Sequence, residues 1–118
     1  MTEGETMIRR YYAYVDAGDV EGLVALFQPG AVYRRPGYPA MHGREEIAAF
    51  YRAGRKFRAG RHAFTAVLDA GDRVAVHGEF HGELHDGAEM ELRFADFFEV
   101  GPDGLFSHRD TYYFAPLG

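Results

Sequence analysis

The chain reads as one α+β domain in which helices come first and an antiparallel meander follows. Three observations carry that expectation. Ile8, Tyr11, Tyr12 and Val15 recur at helical spacing near the N-terminus, whereas beyond His62 the apolar period changes to two. Turn-forming clusters at Ala70-Gly71-Asp72, Asp86-Gly87 and Pro102-Asp103-Gly104 divide the alternating region. Helices followed by strands place the helices on one face of a curved sheet. The 118 residues fit a single domain, 1–118, with no linker, repeat or low-complexity stretch.

The first helix ends at Gly18, and Asp19 is a good N-cap for a second helix carrying Leu23, Leu26 and Phe27. Gln28-Pro29-Gly30 breaks that pattern, and Ala31 to Arg35 reads as a short strand. Pro36-Gly37-Tyr38-Pro39 is a rigid loop leading to His42-Gly43. A third helix then presents Ile47, Phe50, Tyr51 and Gly54 on one face. Arg52, Arg55, Lys56, Arg58 and Arg61 cluster toward its end, where cations favour the dipole, and read as a solvated helix end. Strands are expected near 62–69, 73–84, 89–100 and 105–114.

Composition narrows the function. Ten Phe and eight Tyr without a Trp exceed what a minimal core needs and point to a ligand cavity or a subunit interface. A net charge of -5 supplies no basic footprint for nucleic acid. The absence of cysteine removes disulfides and thiol chemistry, which fits the cytoplasm. The N-terminus has no apolar leader and no later run is long enough to span a membrane, so a soluble, cytoplasmic protein is expected.

Asp96 is the most informative single residue. Met90, Leu92, Phe94, Phe98 and Val100 mark the inward face of its strand, and Asp96 puts a carboxylate on that apolar wall. A buried charge pairs, keeps its proton or faces a ligand cavity, and the last two outcomes describe catalytic sites. The alternative is a structural acid satisfied by a neighbouring Arg or Tyr hydroxyl. The two roles separate on Asp96→Asn: a pocket-facing acid tolerates the near-isosteric amide, an ion-paired one does not. The tolerant outcome is expected.

A second pattern lies on the preceding strand, where His77, Glu79, His81, Glu83 and His85 alternate with Val76, Gly78, Phe80, Gly82 and Leu84. Histidines two apart on a strand face can ligate a metal. A two-residue Asp86-Gly87 loop would put this stripe beside Asp96, whereas a three-residue loop with Gly87 left-handed puts Phe80 and Leu84 there instead. Hydrophobic matching favours the three-residue loop, so the stripe is expected outside, with no metal and no cofactor. His42 and His62 show no partner in the sequence and read as structural or exposed.

The order Tyr11, Ala17-Gly18-Asp19, Leu26-Phe27, Ala31-Val32-Tyr33, Gly43-Arg44-Glu45, Ala49-Phe50-Tyr51, Phe94-Ala95-Asp96-Phe97-Phe98 and Arg109 to Phe114 resembles the nuclear transport factor 2-like superfamily. Within it the chain resembles the SnoaL-like group, which includes polyketide cyclases, and more distantly the ketosteroid isomerases. The match runs from Met7 to Pro116. It implies a cystatin-like cone in which three N-terminal helices and a bent antiparallel sheet enclose one pocket. It also implies roles: Tyr11 falls at the phenol of an oxyanion hole, Tyr51 at its supporting tyrosine, and Asp96 at a protonated acid that is the second donor. The isomerase's proton-abstracting aspartate would fall at Arg35, which cannot act as a base.

An Arg near Asp96 changes the chemistry, since an adjacent cation favours an ionised acid that can itself serve as base. Tyr11 and Tyr51 would then stabilise an enolate while Arg35 holds a substrate carboxylate or carbonyl. Arg35 has two plainer alternatives, an ion pair with Asp96 or a solvent-facing edge position. Tyr33, Phe80, Phe94 and Phe98, with Arg109 and Tyr113, are expected to complete the lining. Arg109-Asp110 resembles the end strand of the epoxide-hydrolase branch, but its spacing from Gly104 does not place Asp110 inward. The resulting expectation is a homodimeric small-molecule enzyme doing cofactor-free acid–base chemistry, of isomerase or cyclase type, on a carbonyl-bearing, largely apolar substrate. A non-catalytic binding or dimerisation module of the same fold is the alternative.

Overall fold

A computed structural model describes residues 1–114, so Pro116, the far end of the expected resemblance, lies outside the described residues. Helix α1 spans Glu3–Ala17. Thr2 caps it by accepting from the Glu5 amide, and Gly18 closes it in the left-handed conformation at φ 72°, where a side chain would be strained. Ile8, Tyr11, Tyr12 and Val15 are all buried, as their spacing requires. Asp19 caps the short helix α2 (Val20–Val24) through the Gly22 amide.

The sheet holds six strands: β1 (Phe27–Arg34), β2 (Met41–His42), β3 (Phe57–Asp69), β4 (Arg73–Leu84), β5 (Glu89–Val100) and β6 (Phe106–Phe114), in the order β2-β1-β6-β5-β4-β3. The expected α+β plan is therefore present, with one difference in direction. β1 runs parallel to β6, so the sheet is mixed instead of wholly antiparallel. The chain reaches β6 from β1 only after the whole meander has been laid down, and that return permits a parallel pairing.

Two boundaries differ from expectation. Phe27 belongs to β1 and not to α2, since a register shift between Phe27 and Val32 accommodates Pro29-Gly30 within the strand. Helix α3 spans only Gly43–Ala49 and passes into a π-helical turn over Phe50–Gly54, after which β3 starts at Phe57, five residues before the change of period suggested. Arg58 and Arg61 are thus strand residues, and Arg58 reaches Glu83 across the ladder at 2.5 Å. Irregularities between Phe57 and Ala59 and between Phe64 and Ala66 interrupt the β3 ladder, and bulges of this kind bend a sheet.

The hairpin after β4 is the three-residue type. Leu84 and Ala88 pair through a 2.8 Å hydrogen bond, and Gly87 sits at φ 90°. Phe80 faces Leu92, Gly78 faces Phe94 and Val76 faces Asp96 across β4–β5, all on the core side. His77, Glu79 and His81 consequently stand on the exposed side, where His81 lies 3.2 Å from Glu91 and 3.4 Å from Glu89.

Candidate functional site

Asp96 is fully buried, between Val76 of β4 and Thr111 of β6. Three donors reach it. The Tyr12 hydroxyl donates to Oδ2, the Thr111 hydroxyl to Oδ1, and Arg109 Nη2 to Oδ2 at 2.8 Å. Arg109 and Thr111 lie two apart on β6 and so share the inward face. The ion-pair partner of Asp96 is thus Arg109, so the alternative that paired Asp96 with Arg35 does not hold, for a simple reason. Arg35 lies just beyond the end of β1, whereas β6 is hydrogen-bonded directly to β5.

Arg109 is almost as buried as its partner. Its Nη1 donates to the Tyr11 hydroxyl at 2.6 Å and to the Tyr51 hydroxyl at 2.9 Å, and those two oxygens are 2.7 Å apart. Its guanidinium carbon stands 4.5 Å from the Tyr33 ring centre and 5.0 Å from that of Tyr11. Burial works most strongly against its charge, but Asp96 together with the Tyr11, Tyr33 and Tyr51 hydroxyls outweighs it and holds the guanidinium proton well above its ordinary affinity. Burial also raises the Tyr11 and Tyr51 hydroxyls, so both stay protonated. Arg109 donates to both oxygens, and one of the two phenolic protons lies in the hydrogen bond between them. When Tyr11 donates to Tyr51, the Tyr51 O–H is left to point at a ligand.

Arg35 turns inward as well. Nη2 donates to the Tyr113 hydroxyl at 2.7 Å and Nη1 to the Tyr33 hydroxyl at 3.4 Å, and the rings of Phe50, Tyr38 and Tyr113 pack around the guanidinium. Burial pushes the Tyr33 phenol up, yet Arg109 and Arg35 together bring it below its ordinary value. Tyr113 is pushed up to about 12, mainly by burial.

His62, read from sequence as partnerless, has a partner. Its Nδ1 lies 2.6 Å from Asp16 Oδ1, and its backbone amide donates to Asp16 Oδ2 at 3.0 Å. Asp16 follows Tyr12 by four residues on α1, so one helix face delivers both to the cavity side. The imidazole packs between Tyr12 and Phe80, each ring centre 4.6 Å away. Burial lowers the His62 pKa despite Asp16, which keeps the ring neutral near pH 7. With Nδ1–H donated to Asp16, Nε2 carries the lone pair.

These groups meet around one cavity of about 20 Å³, lined by Val15, Arg35, Tyr51, Arg55, Phe57, His62, Phe80, Phe94, Asp96, Arg109, Thr111 and Tyr113. That volume holds about one water, so a larger ligand must push its walls apart. The π-helical turn carrying Phe50 and Tyr51 forms part of that wall, and such turns are frequent at functional sites. Broader concavities, of about 450 Å³ beside Met1, Arg10 and Asp69 and about 710 Å³ beside His81 and Arg93, gather no comparable set of converging donors.

Of the residues expected at the site, Asp96, Tyr51, Arg35, Phe80, Phe94, Arg109 and Tyr113 line the cavity. Tyr11 and Tyr33 stand behind the wall and act through their hydroxyls, and Phe98 packs deeper against Phe106 and Tyr11. Sequence reasoning missed Tyr12, Asp16, Arg55, His62 and Thr111. The helical spacing of Tyr12 and Asp16 was a signal, and so was the period-two placement of His62 with Phe64. Arg55, read as part of a solvated helix end, leaves the π turn toward the cavity. Asp110 faces away and pairs with Arg34 at 3.1 Å. Among the described residues no cluster of three or more potential metal ligands occurs, and no helix is long and apolar enough to cross a membrane.

A six-stranded curved sheet wrapped by α1 and α3, with polar groups converging at its centre, defines the nuclear transport factor 2-like class of cone folds. Residues 8–109 match the family model described as SnoaL-like domain, and the chain belongs to that family. A nuclear transport factor 2-like protein of unknown function from Burkholderia pseudomallei superposes with a TM-score of 0.86 at 20% identity, covering 97% of this chain and 92% of that one. TerC, co-crystallised with polyporic acid, gives 0.84 at 21% identity, with 96% and 92% covered. The epoxide hydrolase/cyclase-like enzyme SalBIII, associated with pyran ring formation in the polyether salinomycin, gives 0.82 at 16% identity, with 93% and 89% covered. At these identities the three likenesses establish the fold.

Proposed function

We propose that the chain is a cytoplasmic, homodimeric enzyme that performs cofactor-free acid–base chemistry, of isomerase or cyclase type, on a carbonyl-bearing, largely apolar substrate. The observation that carries this reading is a single cavity wall combining a neutral imidazole oriented by a carboxylate with a tyrosine hydroxyl backed by a buried guanidinium. In this reading His62 Nε2 removes a proton next to the substrate carbonyl, and Asp16 stabilises the imidazolium that forms. The enolate oxygen sits on the Tyr51 O–H, which Arg109 and Tyr11 polarise. The imidazolium then returns the proton at a different atom, completing an isomerisation, or protonates the oxygen formed in ring closure. Asp96 is a positioning residue, since Tyr12, Thr111 and Arg109 already occupy its oxygens.

The match to the SnoaL-like family and the fold shared with a cyclase-like enzyme support the reading. The small volume of the cavity favours a second one, a binding module that does no chemistry. A thermal-shift screen of carbonyl compounds, with each binder then followed for turnover, separates the two, because both classes bind and only an enzyme consumes. With a substrate in hand, His62→Gln is expected to lower kcat by about 10²–10⁴. Binders that are never turned over, or a His62→Gln protein of unchanged rate, would sink the acid–base reading.

A further inference from the structure

The cavity is short of negative charge. Three guanidiniums line it, those of Arg35, Arg55 and Arg109, and among the described residues only Arg109 has a carboxylate partner, Asp96. Asp16, the other nearby acid, is engaged by His62. Among the described residues Arg35 donates only to tyrosine hydroxyls, and its Nε is shut away from solvent with no hydrogen-bond partner. Arg55 stands over the rings of Tyr51 and Phe80, at 5.7 Å and 5.4 Å. Among the described residues no carboxylate pairs with either Arg35 or Arg55. Three cations against one lining carboxylate leave the space electropositive. Removing guanidiniums from water is costly unless an anion answers them.

We propose that the ligand is an anion, with a carboxylate seated against Arg35 and Arg55 and an apolar body lying along Phe57, Phe80 and Phe94. Guanidinium forks match such groups in geometry as well as in charge. The proposal rests on the acid–base reading only in using the same cavity. It also assigns Arg55 a ligand-binding role that its position within a basic run conceals, and gives the Arg35 guanidinium a partner.

The test is a matched set of probes: formate, benzoate and 2-naphthoate, each beside its own amide, titrated calorimetrically into the full chain and followed by thermal shift. At least one carboxylate is expected to bind tenfold or more tightly than its amide. Arg35→Met and Arg55→Met should each erase most of that preference, whereas Arg52→Met, an exposed cation of the same π-helical turn, should leave it intact. Arg35→Lys, which keeps the charge, guards against misfolding of the Met variant and should retain part of the preference. If no carboxylate outbinds its amide up to millimolar concentration, or if Arg52→Met weakens binding as much as Arg55→Met, the proposal is overturned. Turnover tests the acid–base reading and this preference tests the charge, so each can fail without the other.

Discussion

Three donors converge on the Asp96 carboxylate, and in the function proposed above the residue anchors Arg109. The stability expected of Asp96→Asn changes accordingly. An amide would leave a buried guanidinium without its counter-charge, at a cost of about 3–5 kcal/mol. A melting temperature lower by roughly 10 °C or more is therefore expected for a domain of this size. A variant melting within a few degrees of wild type would restore the pocket-facing role first expected from the sequence. His62 makes a separate prediction. Burial holds its pKa below the ordinary 6.5. The unfolded chain therefore takes up a proton before the folded chain does, and this contribution to stability is complete above about pH 6.5 and lost as pH falls from there through the folded value. Urea unfolding at pH 7.5 and pH 5 should show wild type losing more stability than His62→Gln over that interval, and equal losses would refute the assignment.

Helix α1 carries the site because its buried face has two uses. Ile8, Tyr11 and Val15 fill the core, while one turn apart Tyr12 donates to Asp96 and Asp16 accepts from His62, on different strands. Strand β4 must come close beneath these rings, and its glycines allow it. A Cβ built on Gly78 would lie 2.4 Å from the Ala63 carbonyl oxygen and 3.1 Å from the Phe94 ring. The first of these is backbone of the paired strand and cannot swing aside. Gly78→Ala is therefore expected to destabilise by about 1–3 kcal/mol, the usual cost of overpacking. Chemical denaturation measures it, and an unchanged midpoint would show that β3 yields there at no cost.

At the scale of the molecule, the outer sheet face does not look like a surface built only for water. Phe97 and Tyr112 pair edge to face with ring centres 5.9 Å apart, and each is about half exposed at 54%. Exposed aromatic clusters of this kind mark association surfaces. Light scattering is expected to give twice the 13.3 kDa chain mass, and Phe97→Glu should shift the protein toward one chain. A wild-type mass of one chain, independent of concentration, would contradict the dimer. The His77 and His81 stripe shares this outer side, consistent with a cavity built from other groups.

The sequence by itself determined the helices-then-strands plan, the hairpin register at Gly87 and the inward placement of Asp96, because each follows from local rules. Helical and strand periods fix faces, and one left-handed glycine fixes a turn. It could not determine which cation would meet Asp96, since Arg35 and Arg109 both fall on strands expected from the sequence. Tertiary structure chose Arg109 by pairing β5 with β6, and turned Arg35 to the tyrosines. It also supplied what no local pattern holds, an aspartate on α1 meeting a histidine on β3 across 46 residues of sequence. Such a pair forms only when α1 packs over β3, and that packing depends on the apolar faces of the whole domain coming together.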